Sequence, residues 1–186
     1  MPFLDLLRPV SDEELRQLSA QNPGWQLERW EDGRLIVSPV GGESGHLEAL
    51  LLGQLYRWNQ EKGLGYLFSS STGFRFPSGA VLSPDAAFVL RHRWLSLSPE
   101  EREGFPSLVP DAAFEIRSRS QSLEELRQKA QAYLAQGVGL VVLLDPYAHQ
   151  VEVLRPGRAE RYQDPESVSL DPELPGFALK AQELFL

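Results

Sequence analysis

The sequence contains no cysteine, and this absence excludes several kinds of chemistry at once. Disulfides, thiolate zinc sites and cysteine nucleophiles all require that residue. Long apolar runs are missing as well, and none approaches the roughly 18 residues that a membrane-spanning helix needs. The N-terminal residues have neither a basic start nor a long apolar centre, so no secretory signal is expected. These absences favour a cytoplasmic protein without a membrane segment.

Basic residues are fewer than acidic residues. With 26 acidic and 18 basic residues, the formal net charge at pH 7 is −8. Proteins that coat nucleic acid regardless of its sequence depend on basic surface, so that class is disfavoured. A local basic patch or a bound metal ion would still allow the chain to act on a phosphodiester. Lysine is scarcer than arginine, 3 against 15, which draws attention to Lys129.

One stretch near the middle of the chain predicts a strand, a polar turn, a helix and a second strand. Ala112–Ile116 is mostly apolar, and Ser122 with Glu125 forms the pattern of a capping box at a helix start. Apolar residues then recur at helical spacing. Val138–Leu144 is an unbroken apolar run, typical of a strand covered on both faces. The short connections predict a parallel pair of strands with a right-handed crossover.

The rest of the chain predicts short elements separated by glycine and proline turns. The predicted helices are 11–20 and 44–61, and the predicted strands are 25–30, 34–38, 66–69, 73–76, 81–90 and 150–154. The segments 25–30 and 34–38 predict an N-terminal hairpin. At 186 residues, with no linker-like tract, the chain predicts one α/β (α+β) domain, 1–186, with a mixed sheet.

A short motif occurs twice, as SPDAAFVL at 83–90 and as VPDAAFEI at 109–116. Either aspartate could serve a site together with Glu115, a charged residue at the end of a predicted buried strand. Asp111 and Glu115 would lie roughly 13 Å apart along one strand, too far to share a metal ion. Asp85 belongs to a different strand, whose end can approach Glu115. Geometry therefore favours Asp85.

Two carboxylates that meet at strand ends beside a cationic side chain can form a metal-dependent hydrolase site. The carboxylates bind a hard cation through oxygen. The cation polarises a phosphoryl group and lowers the pKa of a bound water molecule. A nearby lysine or arginine can orient that water or stabilise the charge that develops on phosphorus.

The wider pattern is more specific than this pair. It consists of GGESG (41–45), SSTGF (70–74), SPDAAFV (83–89), PDAAFEIRSRSQSLEELRQKAQAYLAQG (110–137) and LLDP (143–146). Together these stretches resemble the Uma-type family of restriction-endonuclease-like proteins, over most of the chain from Trp25 onward. The resemblance implies a restriction-endonuclease-like core of the PD-(D/E)XK type. Such a core is a mixed central β-sheet flanked by helices, with the active site at one edge.

The resemblance also assigns site residues by matching motif. It implies that Asp85 and Glu115 bind the metal ion, Mg²⁺ or Mn²⁺. Glu43 matches a glutamate of the first core helix, and Lys129 matches a helix lysine that can replace the lysine of the E-x-K motif. Arg117 stands where the wider superfamily has that lysine. An arginine cannot act as a base, although it can bind phosphate.

Other departures lie on the turn beside this site, where Arg119 and Gln121 replace the proline and aspartate that the family often has.

The implied activity is hydrolysis of phosphodiester bonds in nucleic acid, with DNA as the expected substrate. A homodimer would bring two sites to the two strands of a duplex. Two alternatives remain: a catalytically inactive binding protein on the same fold, which the acidic charge favours, and a metal hydrolase acting on a small phosphoester.

Each candidate residue also has a purely structural interpretation. Asp85 is placed to begin a strand or close a turn after proline. Glu115 is placed to pair with Arg117 or Lys129 in a structural salt bridge. Lys129, on the flank of the apolar stripe of its helix, would then extend toward water. Glu43, near a helix start, would complement the helix dipole.

Overall fold

The structure is a computed structural model that describes residues 4, 6 and 8–186, and the backbone of residue 3. Its helices are α1 (Asp12–Gln21), α2 (Gly42–Lys62), α3 (Arg91–Leu95), α4 (Pro99–Glu103) and α5 (Leu123–Ala135), followed by a 3-10 helix at Ala181–Leu184. Its strands are β1 (Phe3–Leu4), β2 (Trp25–Arg29), β3 (Leu35–Pro39), β4 (Gly65–Ser69), β5 (Phe74–Arg75), β6 (Val81–Leu82), β7 (Ala86–Leu90), β8 (Ala112–Ile116), β9 (Leu140–Asp145), β10 (Gln150–Arg155), β11 (Arg158–Gln163), β12 (Val168–Ser169) and β13 (Ala178–Leu179). None of the helices in the described ranges has the length and hydropathy needed to cross a membrane.

The strands form a six-stranded central sheet in the order β11-β10-β9-β8-β7-β4. Strands β8 and β9 are parallel, whereas the other neighbours in this sheet are antiparallel. A second sheet, in the order β1-β3-β2-β6-β5, contains the N-terminal hairpin, and β12 pairs with β13. The predicted α/β fold with a mixed central sheet flanked by helices is therefore confirmed.

Helices pack on both faces of the central sheet. The side chains of β8 alternate between these two faces. Phe114 packs on the side of α2, among Leu47, Leu51 and other apolar residues. Ala113 packs on the opposite side, against α5 and part of the second sheet. Glu115 follows the same alternation as Ala113, so its carboxylate faces α5. The sheet thereby points one charged side chain into a layer that is otherwise largely apolar.

The predicted strand 81–90 is wrong as a single element. Val81–Leu82 belongs to the second sheet, where it pairs with β2 and β5, and Ala86–Leu90 belongs to the central sheet. The chain crosses from one sheet to the other at 83–85. Pro84 lies inside this crossing, and proline has no N–H with which to continue a ladder. Asp85 therefore sits where the two sheets meet.

The capping box predicted at the start of α5 is present. The Ser122 hydroxyl accepts a hydrogen bond from the Glu125 backbone N–H at 3.2 Å, and the Glu125 carboxylate accepts one from the Ser122 N–H at 2.8 Å. We expect Ser122→Ala to lower the free energy of unfolding by about 1 kcal/mol, since an N-cap would be lost. Ser98 caps α4, a five-residue helix with no buried residue, so Ser98→Ala should have a smaller effect. Urea unfolding of both variants tests this order, and the reverse order would contradict it.

Candidate active site

Five charged residues line one cavity of about 450 Å³, and four of them, from four different parts of the chain, form a cluster. Glu28 comes from β2 and Asp85 from the crossing that precedes β7. Glu115 comes from the end of β8, and Lys129 from the second turn of α5. The fold therefore brings two acids that are distant in sequence, Asp85 and Glu115, to the same cavity beside a lysine.

Lys129 is held between two carboxylates. Its Nζ atom lies 2.9 Å from Glu115 Oε1 and 3.0 Å from both carboxylate oxygens of Glu28. Lys129 is only 4% exposed, so it does not extend toward water as a residue on the flank of an apolar stripe usually does. Burial alone lowers the pKa of Lys129, but the charges of Glu115 and Glu28 outweigh it and raise that pKa. The side chain therefore remains protonated and is a fixed positive charge.

Glu115 is oriented by Lys129 and by Tyr133, one turn further along α5. The Tyr133 hydroxyl donates to Glu115 Oε1 at 2.7 Å. Burial raises the pKa of Glu115, and so does the charge of Glu28, while Lys129 offsets part of that rise. Burial also raises the pKa of Tyr133 well above its usual value, so the hydroxyl remains a neutral donor. These contacts all reach Oε1, and among the described residues none donates a hydrogen bond to Oε2.

Asp85 is attached to the end of β8 by a single hydrogen bond. Its Oδ2 atom accepts from the Ile116 backbone N–H at 2.6 Å, while among the described residues none donates to Oδ1. The surrounding protein raises the pKa of Asp85 well above its usual value by burial, and the charge of Glu115 raises it further. An ionised Asp85 beside Glu115 is therefore costly, and Lys129 offsets only part of that cost.

Glu28 is a part of this cluster that the sequence did not predict. It is 2% exposed and accepts a hydrogen bond from the Ser83 N–H at 2.6 Å, so it also fixes the crossing that carries Asp85. Its only signal in the sequence is a polar alternation in β2, where Gln26 and Glu28 share one face. In the sequence this alternation is typical of a strand with one solvent-exposed face. The helix that covers the face, α5, lies far along the chain, so no local pattern reveals the contact.

The remaining predicted residues lie beside the cavity. Arg117 does not pair with Glu115, contrary to one structural interpretation of the sequence. Its Nε atom lies 2.7 Å from Asp145 Oδ2, and its guanidinium lies 5.0 Å from the centre of the Tyr147 ring. The reason is that β8 ends at Ile116, so the period of two no longer places Arg117 on the face of Glu115.

Glu43 lies near the N-terminus of α2 and belongs to a different polar cluster. Its Oε1 atom accepts from the Tyr147 hydroxyl at 2.7 Å and from Arg119 Nε at 3.2 Å. The hydrogen bond from Tyr147, and then that from Arg119, lowers the pKa of Glu43. Glu43 does not line the cavity, although the next residue, Ser44, does. The structure thus places Glu43 at the rim, apart from Asp85 and Glu115.

The two aspartates of the repeated motif have different surroundings. Asp111 accepts hydrogen bonds from Arg93 Nη1 at 2.7 Å and from the Leu90 N–H at 2.8 Å, which join the loop before β8 to the end of β7. Asp85 lines the cavity with Glu115. The structure therefore gives Asp111 a connecting role within the fold and places Asp85 at the cavity.

The donor set of the cavity fits one divalent cation. Within the described part of the chain, no group of three or more His, Cys, Asp or Glu side chains is arranged to hold a metal ion. Mg²⁺, however, is commonly bound by one or two carboxylates, with water and substrate phosphate completing its coordination. Of the carboxylate oxygens of Glu28, Asp85 and Glu115, Asp85 Oδ1 and Glu115 Oε2 accept no hydrogen bond from any described residue. Three carboxylates and one ammonium leave the ionised cluster with two negative charges, which a divalent cation would balance.

A mixed sheet between helices, with a cluster of acids around a buried lysine on one face, defines an α/β protein with a charged cavity. The chain belongs to the family described as "Uma2: Putative restriction endonuclease", whose model matches residues 12–182, so the predicted family is confirmed. Its fold is similar to that of "a putative nuclease belonging to DUF820" from Anabaena variabilis ATCC 29413, with a TM-score of 0.71 and 21% identity over 86% of this chain and 89% of that chain. No curated protein matches the sequence.

Proposed function

We propose that the protein is a divalent-metal-dependent endonuclease that hydrolyses phosphodiester bonds of nucleic acid. One observation carries the proposal: Asp85, from the crossing before β7, and Glu115, from β8, line one cavity beside a lysine that stays protonated. Two carboxylates and a fixed cation are groups that can support metal-dependent phosphodiester hydrolysis. The family's description as restriction endonucleases supports the same activity and makes DNA the substrate that we propose.

The residues of the cavity have distinct roles in this proposal. Asp85 and Glu115 would bind Mg²⁺ or Mn²⁺ through their free oxygens. The bound ion would polarise the phosphoryl group and supply a more acidic water molecule. Tyr133 holds the Glu115 carboxylate in one orientation. Lys129 is not a general base, since its pKa is raised, and it stabilises negative charge on the phosphoryl oxygens instead.

Hydrolysis then proceeds by exchange of one bond at phosphorus. The water oxygen bonds to phosphorus while the bond between phosphorus and the leaving sugar oxygen breaks. The proton lost by water passes to solvent, and the leaving oxygen takes up a proton.

Glu43 and Arg117 contribute at the rim, where they and Tyr147 position the turn that follows β8. The lack of cysteine supports a cytoplasmic location, and a homodimer would supply two sites.

A second candidate function is binding without catalysis on the same fold. The observation that favours it is that Lys129 is fully engaged by Glu28 and Glu115, as in a structural ion cluster. The net charge of −8 also suits a protein with a partner other than bare nucleic acid. Cleavage assays separate the two functions.

Metal removal gives the direct test of the nuclease. Protein treated with a chelator should produce no cleavage of single-stranded DNA, because no ion would activate the water. Addition of Mg²⁺ or Mn²⁺ should restore cleavage. Activity that persists unchanged in the chelator would contradict the assigned site. Binding of DNA with no cleavage under any metal would favour the second candidate function.

A further inference from the structure

Three charged groups of the cavity are deeply buried: Glu115 and Lys129 are each 4% exposed, and Glu28 is 2% exposed. Asp85 is half-buried. The N-terminal hairpin, β2 and β3, forms one wall of the cavity. The turn between β8 and α5 and the first turn of α2 contribute to the opposite side. Since Glu115 is almost completely covered, a phosphodiester that contacts it has to enter the cavity.

The size of the cavity limits what can enter. Its volume of about 450 Å³ is that of a site for a small molecule, on the scale of one or two nucleotides. A duplex presents its phosphates along the outside, with two paired strands behind them, so one of its nucleotides must unpair before it can enter a cavity of this size. A single strand can place one nucleotide in the cavity without breaking base pairs.

We propose that the site acts on an unpaired strand, such as a single strand, a flap or a frayed end, and not on intact duplex. This inference rests on the nuclease function proposed above and specifies its substrate class. Enzymes that need access to one nucleotide of a duplex must unpair and unstack it, and that cost is smallest where pairing is already absent.

The polar groups of the cavity suit such a strand. Ser38, Ser44, Ser118, Ser120 and Gln121 line it. Hydroxyls and amides of this kind bond to base edges and sugar hydroxyls, and base edges are accessible when a strand is unpaired. The walls thus offer groups that would contact a nucleotide, in addition to the acids that would bind a metal ion.

The charges at the rim of the cavity also favour a single strand over a duplex. Duplex binding through many phosphates needs several free cations, because each contact neutralises one phosphate. At the turn that follows β8, Arg117 is already paired with Asp145. Arg119 is 73% exposed in its side chain, stacks on Tyr147 at 4.7 Å and uses only Nε on Glu43. Its two terminal nitrogens have no hydrogen bond to any described residue, which suits it to one phosphate of a strand that enters the cavity.

Labelled oligonucleotides of one sequence test the substrate class as a single strand, a blunt duplex and a duplex with a single-stranded tail. With Mg²⁺, the single strand and the tail should be cut about 100-fold faster than the blunt duplex, as the cost of unpairing implies. Without metal, the same three probes should bind in the same order. Equal cleavage of blunt duplex would overturn the inference and leave the nuclease intact. If nothing is cut, the nuclease proposal fails, and binding alone decides the substrate class: preference for the single strand supports it, and equal binding overturns it.

Arg119→Ala tests the rim contact against a matched control, Arg16→Ala. Both arginines pair with a glutamate at 3.2 Å and lie over an aromatic ring, but Arg16 is on α1, away from the cavity. Arg119→Ala should weaken single-strand binding about tenfold and reduce the salt dependence by about one phosphate contact. Arg16→Ala should change neither. Equal effects of the two substitutions, or none from Arg119→Ala, would overturn the assigned contact.

Discussion

Asp85→Asn is expected to lower the rate of metal-dependent cleavage by about 1,000-fold. The substitution keeps an oxygen that can accept from the Ile116 N–H, so the crossing between the sheets should be preserved. It removes one of the two charged ligands that would bind the metal ion. Loss of about 4 kcal/mol of transition-state stabilisation, a typical effect of a metal ion's charge, corresponds to that factor. Single-turnover cleavage of a saturating single-stranded substrate measures it directly.

The same substitution is expected to make the metal-free protein more stable, by about 1 kcal/mol at neutral pH, as replacement of a costly active-site group often does. The sign follows from the pKa of Asp85, which is raised by burial and by Glu115. A carboxyl whose pKa is higher in the folded state costs stability at every pH above its unfolded-state pKa, and the cost is complete above the folded pKa. The advantage of the variant should therefore begin to shrink as the pH falls below the folded pKa of Asp85 and vanish below the usual pKa of an aspartate.

Asp111→Asn is the matched control, because Asp111 occupies the same place in the repeated Pro-Asp motif. It bonds Arg93 and the Leu90 N–H outside the cavity, so the substitution should preserve cleavage. It should lower stability by about 1–3 kcal/mol, since a charged hydrogen-bond acceptor is lost. If Asp111→Asn abolished cleavage and Asp85→Asn did not, the two aspartates would have been assigned the wrong way round.

The β8–α5–β9 unit could be predicted from the sequence because its signals are local. A capping box marks the start of α5, and short loops restrict the pairing of β8 with β9. The meeting of Asp85 with Glu115 also followed from simple geometry, since a strand spaces Asp111 too far from Glu115. These predictions require only the rise of a strand and the handedness of a crossover.

The partners of the site residues could not be predicted, because they depend on how the two sheets pack. Glu28 reaches Lys129 only because the N-terminal hairpin lies over α5, and no local pattern in the hairpin encodes that contact. Tyr133 looked like a core residue on the apolar stripe of its helix, which it is, apart from the hydroxyl that holds Glu115. Arg117 was placed by extending the period of β8 past its last residue, and the end of the strand turned it to Asp145.

The cluster is thus stable only because its charges are balanced in part. Burial makes each acid costly, and Lys129 offsets the cost for Glu115 and Glu28. Lys129 compensates Asp85 less completely, because burial and the charge of Glu115 keep the pKa of Asp85 well above its usual value. The cavity therefore holds a fixed lysine together with an acid whose charge is only partly balanced.

Lys129→Met is expected to destabilise the fold by about 3–5 kcal/mol, the usual cost of removing one partner from a buried ion pair. Methionine has nearly the same length, so the loss reflects charge more than packing. Glu28 and Glu115 would remain buried without a cation. Lys180→Met is the control, because Lys180 is 60% exposed in its side chain and lies 3.6 Å from Glu183, where an ion pair contributes about 0–1 kcal/mol. Equal stabilities for the two variants, measured by urea unfolding, would contradict the role of Lys129.

A double substitution separates charge from every other effect of Lys129→Met. Glu28→Gln alone should also destabilise the protein, because it weakens the contact with Lys129. Combined with Lys129→Met, it removes one of the two uncompensated carboxylates and should recover part of the lost stability, giving a coupling that a double-mutant cycle measures. The deficit of Lys129→Met should also diminish toward acidic pH, since burial raises the pKa of Glu115 and protonation neutralises that carboxylate. A deficit that is independent of pH, and is not relieved by Glu28→Gln, would mean that Lys129 stabilises the fold by its packing and not by its charge.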